Sequence, residues 1–285
     1  MPDKPISLIL AAHGSLAAPD SNQPLYDLAK SVAALIQSQP TLANFSKVTP
    51  AFLNGTPEMG HVLEQLPAGD VIVVPVMTSD GYYVKKLPGI FSGNLNATDY
   101  KIQITPVAGV HDTIPTMIAA RIRQQLESYD LLPADTTVVV VGHGTRRNPT
   151  SGESTFALTR ALESLISDLK FETAFLDQDP TVDELASTIT TRHTLVVPFL
   201  ISRGPHSTVD VPTAFRLPAG PEVTFPIVGS TPKGKCICDL PVGMYPEIAD
   251  VCLNLALDAK QQIEQQQALP TGERRADNLA GEMTA

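Results

Sequence analysis

The chain alternates short, uninterrupted apolar runs with longer stretches in which apolar residues recur every three or four positions. The runs at 7–12 (SLILAA), 71–77 (VIVVPVM), 137–141 (TVVVV) and 194–200 (TLVVPFL) show no alternation of apolar and polar residues. Runs of this kind read as strands buried on both faces, as in a parallel sheet covered by helices. Residues 26–37 place Leu28, Val32, Leu35 and Ile36 on one helical face, and residues 114–128 do the same with Met117, Ile118, Ile122 and Leu126. Further strands are predicted at 47–53, 102–107, 171–176 and 223–228, and further helices at 58–65, 154–169 and 246–258, with a short helix after Asp179-Pro180. The stretch 78–88 reads as a polar loop. The predicted fold is α/β, with two doubly wound domains that each hold a four-stranded parallel sheet.

The order of elements occurs twice. SLILAAHGS at 7–15 matches TVVVVGHGT at 137–145, which separates His13 from His143 by 130 positions. AFLNGTP at 51–57 matches AFLDQDP at 174–180, and VVPVMTSDGYY at 73–83 matches VVPFLISRGPH at 196–206, both at an offset of 123. Duplication on this scale implies two copies of one structural unit. Domains are expected at 1–130 and 131–258, followed by a frayed helix end and a disordered tail over 259–285. The two copies place His13, Asn54 and Tyr83 in correspondence with His143, Asp177 and His206. All six follow predicted strands at the carboxyl edge of a sheet, where open α/β sheets bind ligands.

Composition narrows the partners. A formal net charge of −10, from 30 acids and 20 bases, argues against nonspecific binding to nucleic acid or to an anionic membrane surface. An anionic ligand therefore needs a local basic lining, for which Lys85, Lys86, Arg146, Arg147 and Arg203 stand at the proposed edge. No apolar run reaches the roughly 20 residues that span a bilayer, and SLILAA is too short for a leader, so a soluble cytoplasmic protein is expected. Three cysteines are too few for a disulfide scaffold.

Two imidazoles and a carboxylate from adjacent strand ends suit a divalent metal such as Co, Fe, Ni or Zn, with positions left open for a further ligand. The same groups serve equally as bases near neutral pH. Only the second set, His143, Asp177 and His206, carries these donor types.

The strand-His-Gly pattern at His13 and His143, the AFL-acid segment ending at Asp177, and the segment PFLISRGPHSTVDVP at 198–212 resemble the sirohydrochlorin chelatases. These class II tetrapyrrole chelatases put cobalt or iron into sirohydrochlorin. The likeness covers most of both halves and fits the long form in which two repeats are fused and face each other across a cleft, so a monomer is expected. The resemblance implies that His143 and His206 bind the incoming metal and accept the pyrrole protons, with Asp177 as their acidic partner and third metal ligand. It implies a metal as substrate, Co2+ or Fe2+ with Ni2+ as a third candidate, no organic cofactor, and cobalamin or siroheme synthesis as the pathway. The partner would be sirohydrochlorin or a related anionic tetrapyrrole, contacted by His13, Tyr83, Arg146, Arg147 and Arg203.

The first half departs from the family pattern, with Tyr83 in place of a second histidine and Asn54 in place of the acid. One metal site per chain is expected. Cys236-x-Cys238, even with Cys252, falls short of the four ligands of an iron–sulfur centre such as some long members carry. Two other functions stay open at this point: a chelatase for nickel or another tetrapyrrole, and a carrier that binds metal or macrocycle without catalysis.

Overall fold

The computed structural model describes residues 5–93, 99–146, 149–230 and 233–268. The first half runs β1 (Ile6–Ala12), α1 (Gln23–Gln37), β2 (Phe45–Phe52), β3 (Gly69–Pro75), α2 (Tyr82–Ser92), β4 (Tyr100–Ile104) and α3 (Ile114–Ser128). Its four strands pair in the order β2-β1-β3-β4, all parallel. The second half runs β5 (Thr136–Gly142), α4 (Glu153–Leu165), β6 (Lys170–Phe175), α5 (Val182–Thr188), β7 (His193–Pro198), α6 (Val211–Ala214), β8 (Ile227–Ser230), β9 (Lys235–Cys238) and α7 (Ile248–Ala268). Its sheet has the order β6-β5-β7-β9-β8. The central strands β1 and β5 are buried along their whole length, as their unbroken apolar runs require.

The second sheet carries one strand more than expected. Its fourth parallel strand is β9, within the cysteine-bearing segment, and not the 223–228 stretch. Part of that stretch enters β8, which pairs with β9 in the antiparallel sense at the sheet edge. Pro226 lacks an N–H for a ladder and precedes β8, consistent with a late start. Three further expectations change. Residues 78–88 are only partly loop, because α2 begins at Tyr82; the 58–65 helix shrinks to one 3-10 turn at Val62–Gln65; and the last helix runs on to Ala268. Residues 269–285, the rest of the expected tail, lie outside the described residues.

Helix α1 carries Pro24 in its first turn and buries Leu25, Ala29, Val32 and Ile36 at helical spacing. Helix α5 is opened by a capping box, in which the Thr181 hydroxyl accepts from the Glu184 backbone and the Glu184 carboxylate from the Thr181 backbone. The final helices of the two halves are exchanged. Helix α3 packs against α4 of the second half, where Arg123 donates to the Leu165 carbonyl at 2.8 Å. Helix α7 packs against α1 and β3 of the first half, and its Gln267 donates to Asp70 at 3.1 Å. One continuous apolar core results, joining Leu10 and Val74 of the first sheet to Val140 and Val197 of the second through α1, α3, α4 and α7. The outer face of each sheet has its own smaller core, under α2 in the first half and under α5 and α6 in the second.

Asp239, directly after β9, fastens this exchange. It is 1% exposed and accepts from Arg121 Nε at 2.9 Å and Nη2 at 3.0 Å, from Gln125 at 3.0 Å, from the Tyr245 hydroxyl at 2.9 Å and from the Leu240 amide at 2.9 Å. Arg121 and Gln125 belong to α3, so a buried carboxylate of the second half holds a helix of the first. The paired carboxylate raises the proton affinity of Arg121, and burial beside Asp239 pushes the Tyr245 phenol well above its ordinary range.

Candidate functional site

The two halves build their strand ends in the same way. Ala12 lies opposite Phe52 in β1 and β2, and Gly142 lies opposite Phe175 in β5 and β6. Beyond these pairs the Asn54 amide donates to the His13 carbonyl at 2.8 Å, and the Asp177 amide donates to the His143 carbonyl at 3.0 Å. Each histidine is therefore tied by its backbone to the residue that corresponds to the acid. The glycine after each histidine is required by the turn. Gly14 and Gly144 sit at φ +69° and +65°, and a Cβ at either would stand 2.7 Å from Asn54 O or from Gln178 Cβ.

The third member of each set comes from the first turn of the segment after β3 or β7. Tyr83 lies at the start of α2, and His206 opens a π-helical turn, His206–Asp210. In the second half the His143 and His206 rings meet edge to face, with centroids 4.9 Å apart and planes at 84°. In the first half His13 and Tyr83 meet at 4.6 Å and 77°. The sequence correspondence is thus a spatial one: two aromatic rings from equivalent loops touch at each sheet edge.

The Nδ1 atoms of the histidine pair are engaged on the side of the protein. His143 Nδ1 is 2.9 Å from the Gly144 carbonyl and 3.9 Å from the Asp177 carboxylate. His206 Nδ1 is 2.7 Å from the Asp210 carboxylate. Carbonyl and carboxylate oxygens only accept, so Nδ1 carries the proton in both neutral rings and each Nε2 keeps its lone pair. Two imidazoles in this tautomer offer two metal-ligating or proton-accepting nitrogens, with the outer hydrogen bonds that orient metal-binding histidines. The side chains of His143 and His206 are about half exposed, at 49% and 50%, so both are open to solutes.

Asp177 meets His143 from the Nδ1 side and is 65% exposed. Among the described residues, no three His, Cys, Asp or Glu side chains are gathered in a metal-holding arrangement. Asp210 was not among the candidates from sequence. Its signal was present in the His206-x-x-x-Asp210 spacing, which brings the two side chains together over one turn of the π-helical segment.

The basic candidates divide. Arg146 is exposed and stands 3.9 Å from Asp179. Arg147 lies outside the described residues. Arg203 donates through Nη2 to the carbonyls of Pro221 and Val223 and lies over the Phe225 ring, so much of its fork secures its own loop. It also lines a cavity of about 540 Å³ where the halves meet, together with Asp20, Gln23, Asp27, Met244 and Tyr245. In the same region a Cβ on Gly204, in the loop after β7, would lie 3.6 Å from Ser21 Cβ, in the loop after β1. Loops from the carboxyl edges of both sheets therefore adjoin.

The cysteines do not converge. Cys236 and Cys238 lie in the outer core of the second half, whereas Cys252 lies in the shared core on the opposite face of the sheet. Burial pushes Cys236 and Cys252 up to about 12 and Cys238 well above the ordinary thiol range, so all three stay protonated. His193 is buried at the start of β7 and accepts the Lys235 amide at 3.0 Å. Among the described residues no helix is long and apolar enough to cross a membrane.

The fold is that of the chelatases. The chain superposes with a TM-score of 0.67 and 22% identity on a multi-domain protein of Deinococcus radiodurans with structural similarity to chelatases; the match covers 90% of this chain and spans 56% of that longer one. It superposes with a TM-score of 0.66 and 18% identity on CbiX, the terminal enzyme for biosynthesis of siroheme in denitrifying bacteria, covering 90% of this chain and 99% of the other. The CbiX family model matches twice, at residues 7–125 and 137–259, and the chain belongs to the CbiX family. A probable sirohydrochlorin cobaltochelatase of Halobacterium salinarum is 26% identical over 274 residues, which cover 89% of this chain and 91% of that one.

Proposed function

We propose that this protein is a sirohydrochlorin chelatase that inserts Co2+ or Fe2+ into the macrocycle, in cobalamin or siroheme synthesis. The observation that carries the reading is the His143–His206 pair, two rings in edge contact with both Nδ1 atoms held and both Nε2 lone pairs left for chemistry. Family membership and the cobaltochelatase relative support the substrate class.

Insertion asks two things of the protein. A hydrated metal ion must exchange waters for ligands that later release it, and two pyrrole N–H protons must leave. Neutral imidazole serves both, as a moderate ligand and as an acceptor matched to neutral pH. The Gly144 carbonyl and the Asp210 carboxylate hold the rings from their far sides, and Asp210, with Asp177 at 3.9 Å from His143 Nδ1, stabilises the positive charge gained on binding a metal or a proton. Asp177 lies on the Nδ1 side of His143, so to serve as a third ligand its exposed side chain would have to turn toward Nε2 once a metal arrives. His13, Tyr83, Arg146 and Arg147 would contact the macrocycle, and Arg203 would do so only through the part of its guanidinium not bonded to its loop.

The test is to add sirohydrochlorin with Co2+, Fe2+ or Ni2+ to the purified protein and follow the absorption change of insertion. The expected result is accelerated insertion that is lost when His143→Ala and His206→Ala are combined. Turnover surviving that double change would remove the histidines from the mechanism. Tight macrocycle binding without acceleration for any metal would make the protein a carrier.

A further inference from the structure

The first half has Tyr83 and Asn54 where the second has His206 and Asp177, yet its sheet edge is not bare. Tyr83 touches His13 at 4.6 Å and touches Tyr82 in turn, with centroids 5.4 Å apart and planes at 73°. Lys86, one helical turn further along α2, places its ammonium 4.2 Å from the centroid of the Tyr82 ring. Three rings and a cation thus form one continuous row at the edge of the first sheet. The row is open to water: Tyr82 is 61% exposed and Tyr83 45%.

Exposed apolar side chains stand at the same sheet edge. Leu16, in the loop that follows His13, is 72% exposed, and Val110, after β4 at the same carboxyl edge, is 45% exposed. Aromatic and apolar side chains at the carboxyl edge of an open α/β sheet are the lining that ligand sites there use. The duplicated sequence sharpens the contrast. Where the second half has Arg146, Pro205 and His206, the first half has Leu16, Tyr82 and Tyr83. At two of these positions a basic side chain of the second half faces an apolar or aromatic one in the first, and at the third a proline faces a tyrosine.

We infer that the Tyr82–Lys86 face of α2, with Tyr83, is the docking platform for the flat, polyanionic macrocycle, the Tyr82 ring stacking on its plane, the near-perpendicular Tyr83 ring meeting its edge and Lys86 pairing with one of its carboxylates. Aromatic faces suit any extended π system, and a lysine held over one of them supplies a cation in a chain whose net charge is −10. The two halves then divide the work: the first holds the macrocycle, and the second brings the metal. The inference rests on the chelatase reading and adds to it the residues that set macrocycle affinity.

The experiment compares wild type with Tyr82→Ala, Tyr82→Phe and Lys86→Ala. Sirohydrochlorin binding is read by absorption and fluorescence titration without metal, KM and kcat by insertion of Co2+, and Co2+ binding alone by its own titration. Tyr82→Ala is expected to raise Kd and KM for sirohydrochlorin about tenfold, as for loss of an aromatic stacking partner, with kcat and Co2+ affinity unchanged. Tyr82→Phe, which keeps the ring, is expected to restore wild-type values. Lys86→Ala is expected to weaken binding in a salt-dependent way. Because both side chains are exposed, an intact Co2+ titration confirms that the fold survives. Unchanged Kd and KM in Tyr82→Ala and Lys86→Ala, in an enzyme whose wild type turns over, would overturn the platform alone. A wild type that neither binds nor metallates sirohydrochlorin would overturn the chelatase reading, and the platform with it.

Discussion

Asp210 accepts a hydrogen bond at 2.7 Å from Nδ1 of His206, four residues earlier in the same π-helical turn. The carboxylate fixes which ring nitrogen carries the proton and how the ring is turned toward its neighbour His143. Outer partners of this kind typically change metal affinity or activity 10- to 100-fold, so Asp210→Asn is expected to lower kcat/KM for Co2+ insertion about tenfold. Asp210→Glu should recover part of the loss. Steady-state kinetics with both variants checks this, and full activity in Asp210→Asn would show that the ring needs no such support.

Asp239→Ala would leave Arg121 and the Tyr245 hydroxyl facing an empty acceptor in the interior. Removing one partner of a buried ion pair costs about 3 kcal/mol or more. Because Arg121 and Gln125 belong to the first half and Asp239 to the second, the loss is expected in both halves together. Urea unfolding followed by circular dichroism should show one transition shifted to lower denaturant.

His193 gives acid sensitivity a defined direction. Burial, reinforced by the charges of Arg192 and Lys235, pushes its imidazole below the ordinary histidine range, and Nδ1 is committed to the Lys235 amide. As pH falls, the unfolded chain takes up this proton before the folded one. Its contribution to stability is therefore complete above about pH 6.5 and is lost as pH drops below that value. His193→Gln keeps a neutral acceptor, and its stability between pH 7 and pH 5 should fall less steeply than that of wild type.

The thiols should be inert in the native protein. With Cys236 and Cys252 pushed up to about 12, only about one thiol in ten thousand is ionised at pH 8, and burial blocks access as well. A disulfide-exchange reagent such as DTNB is expected to react with no thiol in native protein within minutes, and with all three after denaturation. Fast reaction of one thiol without denaturant would show that β9 opens.

The parts of the fold governed by local pattern were legible. Uninterrupted valine and isoleucine runs marked β1, β3, β5 and β7, and α3 begins and ends at the predicted residues, 114 and 128. Elements whose identity depends on a distant partner were not. Lys235–Cys238 is only four residues long and gives little periodicity, yet pairing with β7 makes it the fourth parallel strand. The polar run that ends α7 reads as fraying, but Ala259 and Ile263 are buried in the core that α7 shares with the first half. In the site, counting offsets located His143 and His206 and their counterparts His13 and Tyr83. The distances that matter, from Nδ1 to Asp210 and from Lys86 to the Tyr82 ring, depend on side-chain direction, which spacing alone does not define.

The exchange of α3 and α7 bears on how such a chain can arise and change. Two separate copies of one repeat, each lending its last helix to the other, would assemble the same object from two polypeptides. Joining them end to end makes that exchange a matter within one chain, and the two copies no longer have to be identical. The two copies can then differ without dismantling the architecture, since each is still held by the helix it receives. The unlike edges, with His143 and His206 on one side and His13 and Tyr83 on the other, are what such freedom permits. By the same logic, neither repeat expressed by itself would be a whole: it would carry a homeless helix and miss the one that belongs on its sheet.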